Sequence, residues 1–134
     1  MATVRIEYLG DLRTRCTHEK SGAQLITDAP TDNHGKGESF SPTDLVATGF
    51  ISCMLTVVGI HCNENNIEML GGTGEVTKIM ASGPRRIEQL IIKMDFSMNN
   101  WSTEIQERVK RVAEACPVAK SVNENMIVDI EYTF

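Results

Sequence analysis

The chain has 134 residues, of which 41% are hydrophobic and 23% are charged. This length suits one hydrophobic core and is too short for the two-domain architectures of most nucleotide-dependent enzymes, so we expect a single domain over residues 1–134. The net charge of -5 has the wrong sign for binding nucleic-acid phosphates, and we expect no nucleic-acid partner.

The N-terminal residues alternate between apolar and polar side chains, as strands with one buried face do. The alternation covers Thr3–Gly10 and residues 12–17, and a short strand at 23–27 completes a predicted three-stranded meander. Residues 28–40 are rich in glycine and polar side chains, which predicts an exposed, mobile loop that could serve as a flap. The start lacks the layout of a signal peptide, so we expect a cytoplasmic protein.

A long apolar helix is predicted next. It begins at Ser41-Pro42-Thr43-Asp44, where a capping serine, a proline at the first helical position and an acid suit a helix N-terminus. It runs to about Cys62. Apolar side chains cover most of its circumference, so we expect it to be enclosed nearly all round, in part by a second subunit. Its interspersed polar residues argue against a membrane span.

The rest of the chain is predicted to form two strands, a helix and a last strand. These elements are strands at 67–80 and 86–98, a helix from 101 to Pro117, and a strand at 126–134. The segment Gly71-Gly72-Thr73-Gly74 precedes no helix N-terminus, so we interpret it as a bend or bulge rather than a phosphate loop.

Four cysteines occur, at positions 16, 53, 62 and 116. They lack the paired spacing of a zinc site, and the adjacent His61 and Cys62 point about 100° apart on a helix, so we expect no metal. A reducing compartment disfavours structural disulfides, which leaves redox or nucleophilic chemistry for any functional thiol. Cys53 and Cys116 each fall on the apolar stripe of a helix, where simple packing is the alternative; Cys16 and Cys62 are interpreted as packing or surface thiols.

The surroundings of Cys116 favour a reactive thiol. The proline that follows it can open a new helical turn with Cys116 as its N-cap, and Lys120 lies within that turn. Both features would favour the thiolate. Cys53 has no cation nearby in sequence and would need one from elsewhere in the fold, such as Arg13 or Arg15.

Two motifs resemble those of the OsmC/Ohr family of osmotically inducible and organic hydroperoxide resistance proteins. They are Ser41–Leu45 followed by Ser52-Cys53, and Cys116–Ser121 before the final strand. The resemblance covers nearly the whole chain in order. It implies an α+β fold of the OsmC type, with antiparallel sheets around a long central helix that carries Cys53. It also implies an intertwined homodimer with its sites at the subunit interface.

The activity that this resemblance implies is a thiol peroxidase that reduces organic hydroperoxides and has no bound cofactor. Cys53 matches the family's peroxidatic cysteine and Cys116 the resolving cysteine. Oxidation would then end in a Cys53–Cys116 disulfide, which an external thiol reductant such as a lipoylated protein or thioredoxin reopens.

The resemblance places the family's thiolate-binding arginine on Arg13, while Arg15 on the same strand face stays an alternative. The sequence departs from the family at the acid that accompanies this arginine. The glutamate of similar peroxidases, ten positions before the cysteine, is Thr43 here. Asp44 either takes over its task or only caps the helix.

Two further functions fit the same residues. The first is a protein of this fold that binds a small hydrophobic ligand at the dimer interface, its thiols acting as redox sensors or only packing. The second is acyl transfer through Cys53, for which the sequence places no general base among His18, His34 and His61.

Overall fold

The computed structural model describes all 134 residues. Six strands form two three-stranded sheets, and the chain also has two α-helices, so the protein is α+β. The chain divides into two compact units, Met1–Val46 and Ala47–Phe134. The elements are β1 Val4–Gly10, β2 Arg13–His18, β3 Gln24–Asp28, α1 Pro42–Glu64, β4 Thr73–Ala81, β5 Arg86–Asp95, α2 Thr103–Glu114 and β6 Ile127–Thr133.

The first unit contains the meander that the alternation predicted, with strand order β1-β2-β3. Cys16 pairs with Ile6 on one side and with Leu25 on the other. Side chains opposite each other in paired strands share a face, so these three form an apolar row. Arg13 pairs with Asp28 in the same way on the opposite face of the sheet.

The loop after β3 is anchored to the sheet. Asp28, which the sequence assigned to the loop, is the last residue of β3, and its backbone amide donates to the Phe40 carbonyl over 3.0 Å. The Glu38 amide donates to the Asp28 carboxylate over 3.0 Å. Asp28 is only 1% exposed. Although most of the loop is exposed as expected, it folds over a buried carboxylate that fixes its course.

Helix α1 begins with the reciprocal cap that its sequence indicated. The Asp44 amide donates to Ser41 Oγ over 3.1 Å, and the Ser41 amide donates to the Asp44 carboxylate over 2.9 Å. Two backbone donors that the first turn leaves unpaired are thereby satisfied.

One stripe of α1 is buried and the remaining circumference is not. The buried residues are Ala47, Phe50, Ile51, Met54, Val58 and Cys62. Ile60, by contrast, is 50% exposed. A single chain therefore covers only part of α1, and its enclosure by a second subunit stays a prediction. Length and composition alone would let α1 cross a membrane, a property it shares with buried core helices of globular proteins.

The second sheet has the order β4-β5-β6, and its two pairings run in different directions. Strands β4 and β5 are antiparallel, whereas β5 and β6 are parallel. The expectation of antiparallel sheets is thus wrong for the last pair. The physical reason is that α2 lies between β5 and β6, and a helical crossover returns the chain in its original direction.

The glycines near the start of β4 serve close packing. A Cβ atom on Gly72 would lie 2.8 Å from the ring of Phe96, which is buried. The irregularity in the β4–β5 ladder lies at Ile79–Met80. Of the predicted bend or bulge at the glycines, the bulge is therefore wrong, and the strand begins at Thr73 rather than at residue 67.

The core of the second unit is built from α1, α2, the sheet and the aromatic residues that follow β5. Phe96 lies 5.4 Å from Trp101 and 5.9 Å from Phe134 between ring centroids. Full burial of each such large apolar side chain contributes about 1.5–3 kcal/mol to stability. Both Cys62 and Cys116 belong to this buried cluster.

Candidate functional site

The structure brings Cys53 and Cys116 together in the second unit. Cys53 is half-buried on α1 and packs against the buried cluster that contains Cys116. The Cys53 thiol contributes to raising the pKa of Cys116, so the two thiols are neighbours. Both are free thiols. Their separation along the chain could not show that they meet, and their contact depends on how α2 packs against α1.

Cys116 caps a single helical turn after α2. The Lys120 amide donates to the Cys116 carbonyl over 3.2 Å, and the Ala119 amide donates to Cys116 Sγ over 3.4 Å. Burial nevertheless raises the pKa of Cys116 above its usual value, and the neighbouring Cys53 thiol acts in the same direction. The expectation that this turn favours the Cys116 thiolate is wrong, because loss of hydration outweighs the amide donors.

Arg13, in the first unit, lies between two carboxylates. Its Nη2 is 2.5 Å from Glu38 Oε2 and 3.5 Å from Asp28 Oδ2. The hydrogen bond with Glu38 raises the pKa of Arg13. The Glu38 amide, and after it the charge of Arg13, lower the pKa of Asp28. Arg13 is therefore held by one buried acid and one exposed acid.

The other residues considered for this site have local partners. Arg15 Nη1 lies 2.5 Å from Glu7 Oε1, where both side chains are largely exposed. Thr43 Oγ1 lies 3.3 Å from Ser41 Oγ, next to the capping bonds of Asp44. The contacts of Asp44 with Ser41 are those of helix capping.

Sequence reasoning missed Asp28 and Glu38 as the partners of Arg13. Asp28 could have been predicted, because the short connection between β2 and β3 fixes their register and sets residue 13 opposite residue 28. Glu38 could not, since its position depends on the path of an irregular loop.

The second unit contains a cavity of about 210 Å³. It is lined by Phe50, Glu114, Ala119, Val128 and Ile130. Phe50 precedes Cys53 by three positions on α1, and Ala119 is the residue whose amide binds the Cys116 sulfur. Two adjacent thiols can support thiol–disulfide chemistry.

Comparisons with known proteins agree with this fold. The family model described as OsmC-like protein matches residues 35–131. A crystal structure from Psychrobacter arcticus, provisionally described as an osmotic stress induced and detoxification response protein, is 44% identical. Its TM-score is 0.93, and the match covers 98% of this chain and 96% of that one. No curated protein matches the sequence.

Two organic hydroperoxide resistance proteins share the fold at lower identity. The protein OsmC from Legionella pneumophila is 18% identical with a TM-score of 0.71, covering 100% of this chain and 98% of that one. OhrB of Bacillus subtilis is 20% identical with a TM-score of 0.66, and both chains are covered to 98%. The family-model match and the 44% identical relative together show that the chain belongs to the OsmC-like protein family.

Proposed function

We propose that the protein is a cysteine-based peroxidase that reduces organic hydroperoxides to alcohols with electrons from an external thiol. The observation that carries this proposal is that Cys53 and Cys116, both free thiols, are neighbours in the folded chain. The organic hydroperoxide resistance proteins that share the fold support it as well.

In the proposed reaction, the Cys53 thiolate attacks one oxygen of the peroxide bond. The other oxygen leaves with the organic group as an alkoxide and becomes the alcohol on taking up a proton. Cys53 is then a sulfenic acid. The Cys116 sulfur attacks it, the disulfide forms, and the sulfenic hydroxyl leaves as water with the thiol proton. A dithiol reductant restores both thiols by exchange and is itself oxidised to a disulfide.

We assign to Arg13 the role of holding the Cys53 thiolate, as the family resemblance implies. Arg13 is favoured over Arg15 because it is anchored by Asp28, which is 1% exposed, whereas Arg15 pairs with the exposed Glu7. In this assignment Asp28 and Glu38 hold Arg13 in place, which is the role of the family's glutamate at the position of Thr43. Asp44 serves the helix cap.

We further propose that the protein is a cytoplasmic homodimer. Half-exposed apolar side chains of α1, such as Ile60, would be covered by a second copy of the chain. This covering would complete the enclosure of α1 that a single chain lacks.

The test is intact-mass analysis and peptide mapping of the reduced protein after one equivalent of tert-butyl hydroperoxide, with hydrogen peroxide in parallel. We expect loss of two hydrogens, mapped to a Cys53–Cys116 disulfide and faster with the organic peroxide. Cys53→Ser should abolish turnover, and Cys116→Ser should retain one oxygen as sulfenic acid. Cys16→Ser is the matched control and should behave as the wild type.

Survival of the Cys53 and Cys116 thiols under these conditions would overturn the proposal and favour a ligand-binding protein. The observation that supports this alternative is an apolar cavity of about 310 Å³ in the first unit. Val4, Cys16, Leu25 and Leu45 contribute to its lining. Native mass spectrometry of protein purified without detergent would then be expected to show a bound hydrophobic molecule.

A further inference from the structure

The hydroxyl of Tyr132 is a buried polar group without a hydrogen-bond partner. Tyr132 lies on β6, where alternate side chains are covered, and its ring stacks on that of Phe134 with 5.9 Å between the centroids. The oxygen Oη is enclosed by protein atoms, and no group of the chain completes a hydrogen bond with it. Buried hydroxyls are nearly always paired, because an unpaired one has lost its hydration without compensation. The exception at Tyr132 therefore calls for an explanation.

Two ionisable neighbours of Tyr132 come from the end of α2 and the turn that follows it. Burial raises the pKa of Tyr132, and the charges of Glu114 and Cys116 act in the same direction, so these three groups are close together. The phenol thus stays protonated in neutral solution and can donate a hydrogen bond. Lys110 also contacts this residue, but its Nζ lies over the ring face, 5.8 Å from the ring centre.

Of the two neighbours, Cys116 has the greater need of a donor when it is charged. Glu114 is exposed, so water already surrounds its carboxylate. Cys116 is 0% exposed, and burial raises its pKa even though the Ala119 amide donates to its sulfur over 3.4 Å. A buried thiolate depends on the donors that reach it. The Tyr132 hydroxyl can turn toward this sulfur without breaking an existing hydrogen bond.

We infer that Tyr132 is a catalytic residue for closure of the disulfide: its hydroxyl donates a hydrogen bond to the Cys116 sulfur as that sulfur becomes a thiolate and attacks Cys53. The inference rests on the proposed peroxidase function. In this step the S–O bond of the Cys53 sulfenic acid breaks and the S–S bond forms. The departing hydroxide and the proton from Cys116 combine as water, while Tyr132 keeps its own proton.

The test compares the wild type with Tyr132→Phe, which removes only the hydroxyl. Reduced full-length protein is mixed with one equivalent of tert-butyl hydroperoxide, and rapid quenching with mass spectrometry gives the rates of sulfenic acid and disulfide formation. We expect the Cys53 sulfenic acid to form at the wild-type rate. Closure of the disulfide should be slowed roughly tenfold at pH 7, as for loss of a hydrogen bond to a charged group.

Tyr8→Phe is the matched control. It removes the hydroxyl of the chain's other tyrosine, which lies in the first unit, and its disulfide should close at the wild-type rate. Closure at the wild-type rate in Tyr132→Phe, with the Cys53 sulfenic acid formed normally, would overturn the inference and leave the peroxidase intact. If the wild type forms neither sulfenic acid nor disulfide, the proposed function is wrong and the inference with it.

The pH dependence separates a hydrogen bond to the sulfur from a structural role of Tyr132. A donor to the thiolate lowers the pKa of Cys116, so its removal should move the rise in closure rate to higher pH, by about one pH unit. Above that rise the two rates should converge. Tyr132→Phe should also be no less stable than the wild type in urea, because its hydroxyl has no partner to lose. A rate lowered equally at every pH, together with a loss of stability, would make Tyr132 a structural residue and overturn the inference.

Discussion

Cys116 and Asp28 are both buried, yet their pKa values are shifted in opposite directions. Cys116 is buried beside another thiol, and the amides around it do not replace the lost hydration, so its pKa is raised. The Asp28 carboxylate is buried as well, but the Glu38 amide and the Arg13 guanidinium stabilise its charged form and its pKa is lowered. Since both sites exclude water, the difference comes from the donors that each group receives.

We expect Asp28→Asn to lower kcat/KM for tert-butyl hydroperoxide by about tenfold, because Arg13 loses its buried anchor and a misplaced positioning group costs rate. The Cys53 and Cys116 thiols should remain intact by thiol titration. Glu38→Gln should have a smaller effect, since Glu38 is exposed and an exposed ion pair contributes little. Wild-type activity in Asp28→Asn would show that Arg13 does not need this anchor.

The same variant has a defined pH dependence of stability. The folded-state pKa of Asp28 is lowered, so its charge stabilises the fold above the ordinary carboxyl pKa of 3.8 and this contribution is lost as the pH falls through the lowered value. The free energy of unfolding from urea denaturation should therefore be higher for the wild type than for Asp28→Asn at pH 7. This difference in stability should become smaller in strongly acidic solution.

At the scale of the elements, the sequence predicted which segments become helices and strands better than how the strands pair. Ser41-Pro42-Thr43-Asp44 and Ser102 carry local signals, and both helices begin where those signals lie. The parallel pairing of β6 has no local signal, because it depends on where α2 packs. The same holds for Gly72, whose close neighbour Phe96 is distant in sequence.

We expect Gly72→Ala to destabilise the protein by about 1–3 kcal/mol, because the new methyl group would overlap a buried aromatic ring that has little room to move. The measurement is the free energy of unfolding from urea titration. Ser82→Ala, at the exposed tip of the β4–β5 hairpin, is the control and should change it by less than about 0.5 kcal/mol. A change at Gly72 no larger than that of the control would mean that Phe96 can rearrange.

At the scale of the whole molecule, exposed apolar side chains occur in both units. Ile6 and Tyr8 on β1 are 62% and 66% exposed, and Ile60 on α1 is 50% exposed. Single exposed apolar residues need no explanation, but an apolar row on a sheet face and an apolar helix side are typical of surfaces between subunits. The apolar residues around the long helix predicted that a second subunit would cover it. The sequence of one chain does not show which surface of the second subunit would do so.

We expect sedimentation analysis to show a species of twice the 14.8 kDa chain mass. Ile60→Glu should shift it toward the monomer, because an interface would have to bury the new charge. Ile127→Glu is a matched control: Ile127 is 51% exposed, and it lies on the face of β6 that points away from the core. A dimer that survives Ile60→Glu would exclude this side of α1 from the interface.

The parallel pairing of β5 with β6 has a consequence for the order of folding. The β4–β5 hairpin can form early, since its contacts are local. Strand β6 pairs with β5 only after the long segment between them, which contains α2, has brought the two strands together. Val128 and Ile130, which pack against the buried cluster that contains Cys116, arrive with β6. During folding, Cys116 and its neighbour Cys53 therefore lack part of their apolar cover until a late step, and an incompletely folded chain would expose these thiols to oxidants more than the folded chain does.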